Sequence, residues 1–328
     1  MQRLDSLDIL RLVASFAVVV LHVSMGTMPI DIQICLKQLA RFAVPFFFLV
    51  SGYFFYHGYQ KFGNDFFLKN ITKLVGIFLV ASIFYLPISI AKGNFRFDHQ
   101  LILTGTESHL WFLPSLIFGL IYCWYMLNTI KILNLLPIVF MVAISPIILY
   151  YYSVGTRLQS YIDLEFARFF VSIAFLSVGL WLAHNRINFT AKRGLFLIVI
   201  AFTILVLEIK YFSLISPSDV WGIQFLIGTI PLAIGIFFMG FSSFENSHLA
   251  ALGRKYSLGI YLYHLLINMV TYRLLLKLFG RFSDIALMAN PIVCFSVTLG
   301  LLIFLDHKAP KVFEILNGDF NKVLNRSN

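Results

Sequence analysis

Apolar residues run along this chain in long blocks parted by short polar connections. A helix needs about 20 mostly apolar residues to cross a bilayer. Ten blocks meet that requirement, at 8–28, 40–59, 72–91, 109–128, 135–153, 165–184, 194–213, 221–241, 257–278 and 286–305. The connections leave no room for a second domain. The pattern predicts an all-α integral membrane protein, one polytopic domain over 1–328 built as a bundle of about ten transmembrane helices. After Leu305 the chain turns polar, and 306–328 is expected to be a cytoplasmic tail. Val312, Phe313, Ile315 and Leu316 are grouped there as in a short interfacial helix. Pro45, Pro146, Pro231 and Pro291 lie inside or near the ends of apolar blocks. A broken helix in lipid is tolerated beside a cavity or within protein, so Pro45 to Gly52 reads as a kinked helix on a cavity or as an ordinary proline bend. No half of the chain repeats in the other, which speaks against transporters built from two related halves.

Ten crossings place both termini on one side of the membrane. Fourteen Lys and Arg fall on that side and ten on the other, two of which, Arg168 and Arg273, lie within blocks. The positive-inside rule puts both termini in the cytoplasm. The first eight residues set Asp5 and Asp8 against Arg3, and no A-x-A site follows, so the first block is expected to be a retained helix and not a cleaved signal. Asn70-Ile-Thr, Asn188-Phe-Thr and Asn325-Arg-Ser match the glycosylation pattern, yet all three fall on the cytoplasmic side and carry no weight.

Composition closes off the soluble alternatives. The chain of 328 residues is 59% hydrophobic and 12% charged, against roughly 25% charged in a soluble domain. Its 36 Phe and 15 Tyr suit rings facing lipid and headgroups. The net charge of +10 does not point to nucleic acid, because the basic residues sit in short loops and no soluble basic run with interleaved aromatics exists. Cys35, Cys123 and Cys294 form no CxxC pair, so neither a disulfide framework nor a thiolate metal site is expected.

An ionisable residue inside a membrane is costly and marks function by default. The first block holds Arg11 and His22. Eleven residues at about 100° each come within about 20° of three full turns, so both side chains share one helix face, about 16 Å apart along the axis. One face thus carries a guanidinium near the cytoplasm and an imidazole deeper in the bundle. Arg11 has two plainer uses, reaching the headgroups or pairing with Asp8 one turn earlier. His22 has one, a hydrogen bond across helices. An imidazole facing a cavity also serves as base, acid or nucleophile near neutral pH, which suits acyl chemistry.

Four segments carry a family resemblance. They are the Arg11…His22 spacing, Phe46-Phe47-Phe48-Leu49-Val50-Ser51-Gly52-Tyr53-Phe54, His109-Leu110-Trp111-Phe112-Leu113-Pro114, and Tyr256-Ser257-Leu258-Gly259-Ile260-Tyr261-Leu262-Tyr263-His264. Together, and in this order, they resemble the acyltransferase family 3 membrane proteins, in the branch that stands alone without a fused soluble domain. The resemblance implies a multi-pass protein of a bacterial inner or plasma membrane that takes an acyl group, acetyl foremost, from cytoplasmic acyl-CoA. The group would pass to a hydroxyl or amine of a cell-envelope glycan or related small-molecule acceptor. By that resemblance His22 is the catalytic histidine and Arg11 helps hold the donor. Ser51, Tyr53, His109, Trp111, Tyr261 and His264 become cavity candidates.

Two departures stand out. The family's arginine cluster after the second span is replaced here by Lys69-Asn70-Ile71-Thr72-Lys73. Lysine neutralises a phosphate without arginine's planar fork. Lys69 and Lys73, at i and i+4, can act together on the donor or simply set topology. Secondly, the glutamate that follows the tryptophan in many members is absent after Trp111, and Glu107 precedes it. These departures sustain an alternative, a transporter or exporter of a small polar metabolite or glycan on the same membrane fold.

Other residues are less specific. His109 and Trp111 also suit an aromatic belt at a span entrance. Tyr261, His264 and Asn268 face one way at i, i+3 and i+7, lining a cavity or tying helices together. Glu165 and Arg168 should pair at i, i+3. His22 with His264 is too small a donor set for a metal, and none is expected. No HExxH, GxSxG, P-loop or GxGxxG pattern occurs.

Overall fold

The computed structural model describes residues 4–93, 95–130, 133–154, 156–187, 189–215, 222–242 and 247–320. Arg3, Lys131, Asn188, Lys322, Asn325 and Arg326, which entered the charge and glycosylation arguments, lie outside the described residues. What is described is all-helical: α1 (Asp5–His22), α2 (Ile30–Ala40), α3 (Ala43–Ala91), α4 (Gln100–Thr104), α5 (Phe112–Tyr125), α6 (Leu136–Tyr152), α7 (Leu164–His184), α8 (Ala191–Ile215), α9 (Thr229–Met239), α10 (Ser247–Phe279), α11 (Ser283–Ala286), α12 (Asn290–Lys308) and α13 (Pro310–Leu316). Among the described residues, six helical stretches are long and apolar enough to cross a membrane. Their outward faces carry exposed Leu, Ile, Val and Phe, for example Leu195, Phe196, Val199, Phe202 and Val206 on α8. So much apolar surface is stable facing lipid and not water. The helices are those of a multi-pass membrane protein.

Tight helix crossings hold the bundle, and small residues permit them. Against α7, a Cβ on Gly52 would meet the Leu176 carbonyl oxygen at 2.2 Å, and one on Gly179 would meet that of Leu49 at 2.1 Å. The glycine of the Ser51-Gly52-Tyr53 segment is therefore needed for packing. Between α1 and α10, a Cβ on Gly253 would lie 1.8 Å from the Asp8 carbonyl oxygen.

The structure corrects four expectations. The first block, read as a span over 8–28, stops being helical at His22, and residues 23–28 are irregular. The blocks 40–59 and 72–91 lie in two helices within α3, parted by a kink at Gly63 (φ 58°, ψ −139°), a conformation that glycine alone enters without cost. The connection between them is helical on either side of that kink. Pro45 does not kink α3, because it lies in the first turn, where no intrahelical N–H donor is needed.

The block 221–241 contains only the 11-residue α9. Its irregular approach is held by Glu208 of α8, which accepts the N–H of Ile227 at 2.7 Å and of Gly228 at 2.9 Å and the hydroxyl of Tyr152. Backbone leaves the helical state at membrane depth only where such partners exist. Sequence reasoning passed over Glu208, an acid inside an apolar block. Lastly, the tail segment begins as a docked helix. In α13, Phe313 and Leu316 are buried in the protein, and the Tyr263 hydroxyl donates to the Leu316 carbonyl at 3.1 Å.

Candidate active site

Helix α1 runs between two cavities. The first, about 460 Å³, lies toward its N-terminal end and is lined by Arg11, Ser51, Asn70, Lys73, Arg254 and Ser257 among Phe and Leu side chains. The second, about 330 Å³, lies at its other end and is lined by His22, His109, Trp111, Arg41, Arg168 and Gln224. Arg11 and His22 share a helix face yet open into different cavities. Tyr261 lines both and forms the wall between them. Its ring packs on Phe112 at 4.9 Å between centroids, and its hydroxyl donates to the His109 carbonyl at 2.6 Å.

In the first cavity, charge is held in a shared network. The buried Asp8 carboxylate accepts from Arg11 at 2.7 Å and from Arg254 at 3.0 Å. Arg11 also lies 5.0 Å from the Phe54 ring centroid. Lys73 lines the cavity and pairs with Asp319 beyond α13 at 2.8 Å. Lys69 is exposed and is not part of the lining. Ser51 faces the cavity, whereas Tyr53 packs among His57, Phe189, Phe237 and Phe241.

In the second cavity three imidazoles come together. Ring centroids lie 5.3 Å apart for His22 and His264, 5.8 Å for His109 and His264, and 6.4 Å for His22 and His109. Each ring has one nitrogen on a backbone carbonyl oxygen: His22 Nδ1 on Val18 at 2.9 Å, His264 Nδ1 on Tyr261 at 2.8 Å, and His109 Nε2 on Leu262 at 3.1 Å. A carbonyl only accepts, so that nitrogen carries the hydrogen and the opposite nitrogen keeps a lone pair. His109 and His264 are buried, and their opposite nitrogens have no hydrogen-bond partner. His22 is exposed, and its exposure is to this cavity. Its Nε2 is placed to take a proton or to attack. Among the described residues no group of three or more His, Cys, Asp or Glu is placed to hold a metal ion.

The structure thus brings together His22, His109, His264, Trp111 and Tyr261 at one end, and Arg11, Lys73 and Ser51 at the other. Asn268 belongs to neither, since it accepts from Asn290 of α12 at 3.0 Å and ties helices together. Arg168 does pair with Glu165, at 2.5 Å, but it also lines the second cavity. Sequence reasoning missed Arg41 and Arg254 as site residues, having counted them only for topology. Their signal was position, since Arg41 borders an apolar block and Arg254 stands six residues before Ile260 on the helix that carries His264.

Comparison with known proteins agrees with the family resemblance. The acyltransferase domain family matches residues 4–306. An amino-acid racemase of Enterococcus faecalis is 32% identical over 139 residues, 38% of this chain and 19% of that protein. A serine/alanine racemase of Enterococcus gallinarum is 31% identical over 133 residues, 34% of this chain and 18% of that protein. The match therefore spans about a fifth of the length of these curated relatives. No solved structure matches the chain.

Proposed function

This chain belongs to the acyltransferase 3 family, and from that premise we propose that it transfers an acyl group, acetyl foremost, from cytoplasmic acyl-CoA across the bundle to a hydroxyl or amine of an envelope glycan or related acceptor. In this reading the single domain crosses the plasma membrane ten times with both termini in the cytoplasm, and the first cavity opens inward. The observation that carries it is the pair of cavities at opposite ends of α1, one with Arg11 and the other with His22, parted by Tyr261. A charged donor and a polar acceptor approaching from opposite sides need such an arrangement.

Arg11, Lys73 and Arg254 draw the phosphates of the donor into the first cavity, and Lys69 adds to the field at its mouth. The acyl thioester extends past Tyr261 toward His22. The His22 Nε2 lone pair takes the proton of the acceptor hydroxyl as its oxygen attacks the thioester carbonyl. The C–S bond then breaks, and the proton leaves with the CoA thiol. Alternatively Nε2 itself takes the acyl group before passing it on, which trapping an acyl-histidine would reveal.

The test is CoA release from acetyl-CoA by the purified protein in lipid with envelope glycan extract, comparing wild type with His22→Ala. Extract-dependent release that is lost in the variant supports the proposal, and full release in the variant sinks it. The departures from the family pattern, lysines at Lys69 and Lys73 and no acid after Trp111, sustain a second reading: passage of a small polar metabolite through the same cavities. A transporter would not consume a thioester, so absence of CoA release with several acyl donors would move the weight there.

A further inference from the structure

The second cavity has a charge that proton transfer at His22 does not explain. Arg41 and Arg168 both line it, and no carboxylate does. Resting on the acyltransferase reading for the role of His22 and for the orientation, we infer that the acceptor carries an anionic group, a carboxylate or a phosphate, close to the hydroxyl or amine that is acylated, and that these two arginines grip it.

Four observations support this. First, both guanidiniums are anchored by neutral amides. Arg41 Nε donates to Gln38 Oε1 at 3.0 Å and its NH1 reaches the Gln224 carbonyl at 3.4 Å, while Arg168 NH2 donates to Gln224 Oε1 at 2.5 Å. One residue, Gln224, thereby fixes the two cations relative to each other. Second, the charge is under-compensated. Glu165 pairs with Arg168, Arg41 has no ion pair among the described residues, and the buried Nε of Arg168 has no partner. A guanidinium carries five donors in a rigid fork matched to carboxylate or phosphate, so capacity remains for a ligand. Third, charge held away from water is costly unless partnered. At the non-cytoplasmic end the positive-inside rule disfavours it further, so topology does not account for two inward-facing arginines. Fourth, the cavity of about 330 Å³ is at the small end of ligand pockets, roughly 300–1,000 Å³. It takes one sugar-sized unit, with Trp111 as part of its wall.

The test is equilibrium binding to the full chain in lipid nanodiscs of three probes: galacturonate oligomers, glycerol phosphate oligomers and neutral galactose oligomers. At least one anionic probe should bind ten-fold or more tighter than the neutral one, and which one distinguishes carboxylate from phosphate. Arg41→Gln and Arg168→Gln should each remove most of that preference. Arg41→Lys, which keeps the charge without the fork, should keep part of it. His22→Ala should keep all of it, which separates binding from transfer. Equal binding of the three probes, failure of both anionic probes to bind, or an undiminished preference in both glutamine variants would overturn the inference. An anion preference in a protein that releases no CoA from any donor overturns the acyltransferase reading and leaves the anion site standing.

Discussion

The two cavities treat their cations in opposite ways. Around the first, each cation has an internal acid: Arg11 and Arg254 share Asp8, and Lys73 holds Asp319. Around the second, among the described residues, only Arg168 of the two lining arginines has one, and Gln38 and Gln224 supply neutral anchors. An anion entering the first cavity competes with carboxylates already in place, so its affinity is set by the difference between two ion pairs. An anion entering the second meets positive charge that the protein has left largely uncancelled. On the proposed reading, the donor would be bound with restraint and the acceptor selected by charge.

The largest expected effect is at His22, the one group in the second cavity proposed to take part in bond making. A positioned base is worth roughly 10²–10⁴-fold. His22→Ala should lower extract-dependent CoA release by that much while α1 remains inserted, as checked by size-exclusion in detergent. A variant with more than about a tenth of the wild-type rate would remove His22 from the chemistry. Next comes the shared carboxylate of the first cavity. Asp8→Asn leaves Arg11 and Arg254 side by side without their acid. Breaking a buried pair costs about 3–5 kcal/mol. The Arg254 side chain is 39% exposed, so solvent screening reduces this to about 2 kcal/mol. Thermal unfolding in detergent should show the loss, and an unchanged midpoint would mean that Asp8 is not the hub of that network.

Gly52→Ala should follow. Its new methyl meets the α7 backbone 2.2 Å away, where neither side can yield, and overpacking of this kind costs about 1–3 kcal/mol. Because Ser51 beside it lines the first cavity and not the second, donor KM should rise more than acceptor KM. Equal changes in both would show that the two cavities are mechanically one.

How much of this was legible in the sequence depends on the length scale of each signal. Block length in lipid is a strong physical constraint, so most of the long helices emerged with ends off by a few residues, while α10 begins ten residues before its block. The Arg11 and His22 face followed from helix periodicity alone. What escaped was whatever depended on a distant partner. The irregular stretch after α1 is met by a residue far away in the chain, the Thr27 N–H reaching the Asp284 carbonyl at 3.4 Å, and the approach to α9 is held by Glu208 on a different helix. Arg168 was assigned its local partner Glu165, which is correct, but its contact with Gln224, 56 positions away, is what makes it part of a site. Gly52 was legible as part of a motif but not as a packing residue, since that requires knowing that Leu176 lies opposite.

The smallest effect is the most informative about restraint at the first cavity. Lys73 and Asp319 are both partly open to water, at 41% and 26% exposure, and such pairs contribute about 0–1 kcal/mol. Asp319→Asn should therefore leave the unfolding midpoint within a degree or two. If Lys73 serves the donor phosphates, however, that same fraction of a kcal/mol reappears as affinity, because the incoming anion no longer displaces a carboxylate. Donor KM should fall by up to about five-fold, the ratio that 1 kcal/mol represents, with kcat unchanged. Lys73→Gln should move KM the other way, and the double variant should match Lys73→Gln alone. A KM unmoved in both single variants would reduce Lys73 to an anchor for the tail and leave donor recognition to Arg11 and Arg254.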